Sequence, residues 1–159
     1  MVIATSTVYL GIKMERLGKQ VAELIKDEDD IIANLSNVSA LLMMEIADIN
    51  WVGFYRLIDG ELVLGPFQGK VACIRIPLNK GVCGSAVTNK KTMVVNDVHK
   101  FAGHIACDVA SNSEIVIPLF KKDQSIYGVL DIDSPIYNRF DDQLVKALEE
   151  VAKQIEEKL

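Results

Sequence analysis

The chain has 159 residues, half of them apolar, with a net charge of −5. That length can bury the core of one domain without metal or disulfide support. Its basic residues are scattered among acids and no apolar run reaches membrane-spanning length, which excludes an electrostatic footprint for nucleic acid and a transmembrane helix.

Met1 to Thr7 lacks the basic and apolar segments of a secretory signal, so a cytoplasmic protein is expected. Three cysteines, an odd number, then point to reactive or buried thiols and not to a permanent disulfide framework. Residues 1–12 show no clear period, but Met14, Leu17, Val21, Leu24 and Ile25 recur at helical spacing. Asp27-Glu28-Asp29-Asp30 suits the positive end of a second helix, whose apolar face is Ile31, Leu35, Val38, Leu42 and Ile46. These N-terminal helices span about 13–46, and their stripes read as packing against a sheet.

From Asn50 the period becomes two, with Trp51, Gly53 and Tyr55 on one strand face and Val52, Phe54 and Arg56 on the other. Asp59-Gly60 signals a hairpin turn into Glu61 to Phe67. A third strand, Val71 to Pro77, carries Cys73, and Gly81 to Val87 reads as a turn into a short helix with Cys83 near its start. Thr92 to Val95 is a short strand, and 96–113 a long loop holding His99, His104 and Cys107, of the kind that is often functional. Ser113 to Phe120 and Ser125 to Asp133 are strands joined by a polar turn, and Asp141 caps a final helix carrying Leu144, Leu148, Val151 and Ile155. The expected fold is one α+β domain with an antiparallel sheet and loops over about 50–134 and the C-terminal helix over about 141–159.

Three segments carry chemistry. Asp131 and Asp133, two apart on a strand, share a face while Leu130 and Ile132 point away. Like charges so placed raise each other's pKa, and partial burial adds to this, so the pair suits an ammonium ligand and a retained proton could activate a leaving oxygen. The plain alternative is a solvated strand end beside Ser134-Pro135; Glu114 is weaker evidence alone. Of the thiols, local chemistry ranks Cys83 first, because a helix N-terminus stabilises a thiolate, whereas Asp108 beside Cys107 opposes ionisation. A buried, inert thiol is the commoner fate of any one cysteine. Zinc held by Cys73, Cys83, Cys107 and His104 is disfavoured by the wide spacing of the first two, and His99 and His104 read as hydrogen-bonding within the loop. Trp51 and Tyr55 could line a pocket for a sulfur-methyl group or pack in the core.

Taken together, Asn50-Trp51-Val52-Gly53-Phe54-Tyr55, Gly81-Val82-Cys83-Gly84, Gly103-His104-Ile105-Ala106-Cys107-Asp108, Ser113-Glu114-Ile115-Val116 and Gly128-Val129-Leu130-Asp131-Ile132-Asp133-Ser134 resemble the free methionine-(R)-sulfoxide reductases, built on a GAF domain. The resemblance covers roughly Asp27 to Leu159. It implies a six-stranded antiparallel sheet with a small closed pocket at one side. It also reverses the ranking of the thiols: Cys107 is the implied nucleophile, Cys73 the main resolving cysteine and Cys83 an auxiliary thiol. Glu114, Asp131 and Asp133 match the substrate-binding acids, Trp51 and Tyr55 the aromatic contacts. It further implies free methionine sulfoxide as substrate, an external dithiol such as thioredoxin as reductant, no metal or flavin cofactor, and a homodimer through helical surfaces. The rival expectation is a GAF module that binds a small molecule or senses redox state without catalysis, disfavoured because this chain has no output domain and a sensor has no use for three thiols.

Overall fold

The computed structural model describes residues 2–105 and 107–159, with residues 2–12 by their backbone alone. Four α-helices, α1 Val2–Ile25, α2 Ile31–Glu45, α3 Gly81–Asn89 and α4 Asp142–Glu156, accompany six strands, β1 Trp51–Ile58, β2 Glu61–Gly69, β3 Arg75–Pro77, β4 Met93–Val95, β5 Ser113–Phe120 and β6 Ile126–Ser134. The strands form one sheet in the order β3-β2-β1-β6-β5-β4, with every neighbour antiparallel. This is the expected α+β architecture.

Strand alternation divides the interior in two. Val52 and Phe54 of β1, Ile115, Ile117 and Leu119 of β5, and Leu130 and Ile132 of β6 face α1, α2 and α4, which supply Leu17, Val21, Leu35, Leu42, Leu148 and Val151. The opposite face carries Trp51, Tyr55, Val116 and Val129 against Val82, Cys83 and Ala86 of α3. One face therefore packs the fold, and the other, covered only by a short helix and loops, positions the chemistry.

The helix starts follow local chemistry. Asp30 and Asp141 accept hydrogen bonds from the Ala33 and Leu144 amides, the capping expected of an acid placed before an apolar stripe. In the β1–β2 turn both Asp59 and Gly60 have positive φ, 50° and 79°, which matches the right-handed twist of a two-residue hairpin.

Two expectations are corrected. Helix α1 begins at Val2, inside the stretch that shows no apolar period. Periodicity reports a buried face, whereas a helix already nucleated elongates by backbone hydrogen bonds alone. The third strand is confined to Arg75–Pro77, so Cys73 precedes it, on an irregular segment. That segment is held to the sheet by the Leu64 amide donating to the Ile74 carbonyl at 2.9 Å.

Candidate active site

Register alone assembles the acids. Across β1, β6 and β5, Asp133 pairs with Trp51 on one side and Glu114 on the other, and the next pocket-facing row sets Asp131 between Gly53 and Val116. All of the expected site residues meet at one narrow cavity of ≈ 40 Å³, lined by Trp51, Tyr55, Cys83, Cys107 and the three acids, with Cys73 bonded to Cys107 at its rim. Gly53 makes room for the aromatic wall. A Cβ there would sit 2.7 Å from the Trp51 ring, and that ring stacks on Phe67 at 5.3 Å and on Tyr55 at 5.9 Å.

The aromatic pair also holds backbone. Trp51 Nε1 donates to the Lys70 carbonyl at 3.1 Å and the Tyr55 hydroxyl to the Cys73 carbonyl at 2.9 Å. These bonds pin the irregular segment at the height of the acids. The loop carrying Cys107 is tied down in the same way, because Asn50 Nδ2 donates to Asp108 Oδ2 at 3.0 Å and to Ser111 Oγ at 3.1 Å. Asp108 also accepts from the Ala110 amide, and that bond holds its carboxylate below the ordinary range against the opposing cost of burial, with smaller help from Asn50 and Lys70. Two irregular segments, fixed by side chains of β1 and its flank, thus bring Cys73 and Cys107 to a Cα separation of 5.7 Å, where they form a disulfide. Bonded to each other, these two sulfurs do not form the tetrahedral site with Cys83 and His104 weighed above.

Burial sets the electrostatics. Glu114 and Asp131 are each 6% exposed. Desolvation, then Asp131 and Asp133, holds the Glu114 carboxyl well above the usual carboxylate range; desolvation, then Asp131 and Asp108, does the same for Asp133. Desolvation lifts Asp131 less, to about 6, because hydrogen bonds with Glu114 and Cys83 stabilise its charge. Asp131 Oδ1 is buried without a hydrogen-bond partner among the described residues. His104 Nε2 lies 3.7 Å from Glu114 Oε2, and burial lowers the pKa of that imidazole. His99 bonds Asn112 Oδ1 at 3.0 Å within the loop, as expected.

The ranking of Cys83 from local sequence is overturned. Its thiol lies near the start of α3, but burial first, then Asp131, Glu114 and Asp133, raises its pKa well above that of a free cysteine. Desolvation and three acids outweigh the helix end. Cys83 is a buried, protonated neighbour of the acids, while Cys107 is exposed. Asn50, Ser111 and the carbonyl of Lys70 had no role from sequence. A polar residue just ahead of an apolar strand is the single weak signal for Asn50.

The family model for the GAF domain matches residues 32–158. The chain is 52% identical over 143 residues to the free methionine-R-sulfoxide reductase of Escherichia coli (strain K12), covering 90% of this chain and 86% of that protein. It is similar to a structure of fRMsr of Staphylococcus aureus in its reduced form, with TM-score 0.88 and 58% identity over 92% of this chain and 94% of that one. It is also similar to free methionine-R-sulfoxide reductase from Neisseria meningitidis in complex with its substrate, with TM-score 0.87 and 44% identity over 91% of this chain and 87% of that one.

Proposed function

We propose, from the premise that the chain belongs to the GAF-domain family and within it to the free methionine-R-sulfoxide reductases, that it is an oxidoreductase reducing free methionine-R-sulfoxide to methionine with its own thiols. The observation that carries this reading is the Cys73–Cys107 disulfide set against two buried acids, Glu114 and Asp131, and the half-buried Asp133 in one cavity.

The Cys107 thiolate attacks the sulfoxide sulfur while a carboxyl of the cluster protonates the departing oxygen. Glu114 and Asp133, held well above the usual range, are the acids equipped to keep a proton for that step. The hydroxyl then passes from the substrate sulfur to the Cys107 sulfur as the transient sulfur–sulfur bond breaks, so methionine leaves reduced and Cys107 is oxidised to a sulfenic acid. The Cys73 thiol condenses with it, releasing water and forming the disulfide. An external dithiol then exchanges with that disulfide, is itself oxidised, and restores both thiols. Val71 and Val109, each 89% exposed, and Ile74, 70% exposed, give a protein dithiol of the thioredoxin kind an apolar surface beside the bond. Cys83 is an auxiliary thiol, buried beside the acids and outside the first bridge. The whole cycle suits a reducing, cytoplasmic setting.

The acids supply selectivity for a free amino acid. Asp131, its charge stabilised by hydrogen bonds with Glu114 and Cys83 and one oxygen left unpartnered, receives the substrate ammonium, which a methionine within a polypeptide lacks. Trp51 and Tyr55 form the wall for the methyl-sulfur end.

The test mixes reduced protein with stoichiometric free methionine-R-sulfoxide and no reductant, then measures methionine and maps the bridge by peptide mass. Methionine release with a Cys73–Cys107 bridge, lost in Cys107→Ser, is expected. If neither epimer yields methionine, the reductase reading fails and a ligand-binding module takes its place. Equal turnover of N-acetylmethionine sulfoxide would refute the ammonium assignment.

A further inference from the structure

The reductase chemistry leaves one donor set without a full account. Cys83 Sγ and one carboxylate oxygen each from Glu114 and Asp131 lie within 4.8 Å of one another, and all three residues are buried. Independently, Asp131 Oδ1 is buried with no hydrogen-bond partner among the described residues, on a side chain lining the cavity. An acceptor in that state is open to a cation. A substrate ammonium answers the carboxylates, whereas the Cys83 thiol hydrogen-bonds Asp131 and its sulfur accepts hydrogen bonds only weakly.

We propose that Cys83, Glu114 and Asp131 form a binding site for a thiophilic divalent cation of the Zn²⁺ type, and that this cation and the substrate ammonium exclude each other, making the site inhibitory. A thiolate and two carboxylates place three negative charges around a doubly charged ion. The mixed sulfur and oxygen donors favour Zn²⁺ or Co²⁺ over Mg²⁺ and Ca²⁺, which take oxygen alone. In a tetrahedral zinc site neighbouring donor atoms stand about 3.5 Å apart, so the present spacing needs each side chain to move inward by less than about 1 Å. On binding, the metal–sulfur bond replaces the Cys83 S–H bond and the thiol proton, with any held by the two carboxyls, passes to solvent. The fourth position faces the cavity. Exposed Cys107 and Val71 line that cavity too, so the ion has a path from solvent.

None of these donors belongs to the Cys73–Cys107 disulfide, so the site is complete in the oxidised protein. That separates it from unspecific metal capture by the redox thiols. Metal binding stands apart from the proposed function; the inhibition rests on it.

The experiment titrates the oxidised protein, in which Cys83 is the single free thiol, with Co²⁺ alone, following thiolate-to-cobalt absorption and proton release. Binding of one equivalent is expected, displaced by Zn²⁺ and weakened at least about tenfold by Cys83→Ser and by Asp131→Asn. Absence of the absorption, or an affinity unmoved by these substitutions, overturns the site. If Cys83→Ser does not fold, Asp131→Asn decides by the same criterion. A second arm adds Zn²⁺ to the reduced protein before a single turnover of free methionine-R-sulfoxide. Slowed methionine release that excess substrate relieves and that is absent in Cys83→Ser supports inhibition from this site; unaltered release, or equal slowing of Cys83→Ser through the redox thiols, overturns it. If metal-free protein releases no methionine, the reductase reading fails while the cobalt absorption still decides the site.

Discussion

Proximity of like groups in a dry pocket governs the residues of the site. Glu114, Asp131 and Asp133 have pKa values raised chiefly by burial. Such groups stabilise the fold fully below the ordinary carboxylate pKa near 4, and that contribution is lost as pH rises through the raised folded values, about 6 for Asp131 and well above the ordinary range for Glu114 and Asp133. The wild-type Tm is therefore expected to fall relative to that of Glu114→Gln as pH rises above about 4. Parallel thermal melts check the sign, and a gap that widens in favour of the wild type would contradict it. Tyr55 shows how one residue serves two ends, because its ring walls the pocket while its hydroxyl holds the Cys73 carbonyl. Tyr55→Phe keeps the ring and removes one hydrogen bond of about 1 kcal/mol, so disulfide closure is expected to slow by about 3- to 10-fold. Trapping of the Cys107 sulfenic acid measures this; a lifetime equal to wild type removes Tyr55 from the positioning of Cys73.

Among the elements, β1 is the organiser. Its Val52 and Phe54 join the helix-covered core, and its Trp51 and Tyr55 face the pocket. This division was legible at once, since a period of two needs only the pleat of the backbone. The space at Gly53 was not. A Cβ there would meet Phe67 Cβ at 2.3 Å and the Trp51 ring at 2.7 Å, a consequence of how β1 and β2 pair and of where the indole lies. Gly53→Ala is expected to destabilise the fold by about 1–3 kcal/mol, read from the midpoint of denaturant unfolding, and to weaken substrate binding by displacing Trp51. An unchanged midpoint would mean that the strands absorb the extra carbon. Helix α3 taught the reverse lesson. A short helix here followed from the glycine pattern, though it begins at Gly81 itself and runs on to Asn89, yet the thiolate expected at its start is suppressed by burial and by acids that arrive from β5 and β6.

At the scale of the whole molecule, the fold joins cysteines 34 residues apart, and closing a loop of that length removes unfolded-state entropy worth roughly 3–4 kcal/mol. The oxidised protein is expected to melt roughly 8–15 °C above the fully reduced one, a comparison that calorimetry on the two forms makes directly. Equal melting temperatures would show that the reduced chain retains the closure by other contacts. The sequence by itself determined the α+β class, the acidic start of the second helix within Asp27 to Asp30, the cap at Asp141, the Asp59-Gly60 turn and the shared face of Asp131 and Asp133, because each follows from patterns within a few residues. Only the tertiary structure decided that Cys73 bonds Cys107, that Glu114 lies beside Asp131 and that Cys83 is buried among acids. These depend on strand register and on loops held by distant partners, such as Asn50 and Asp108, 58 residues apart. No local pattern carries that information, because the energy that places those groups comes from contacts far along the chain.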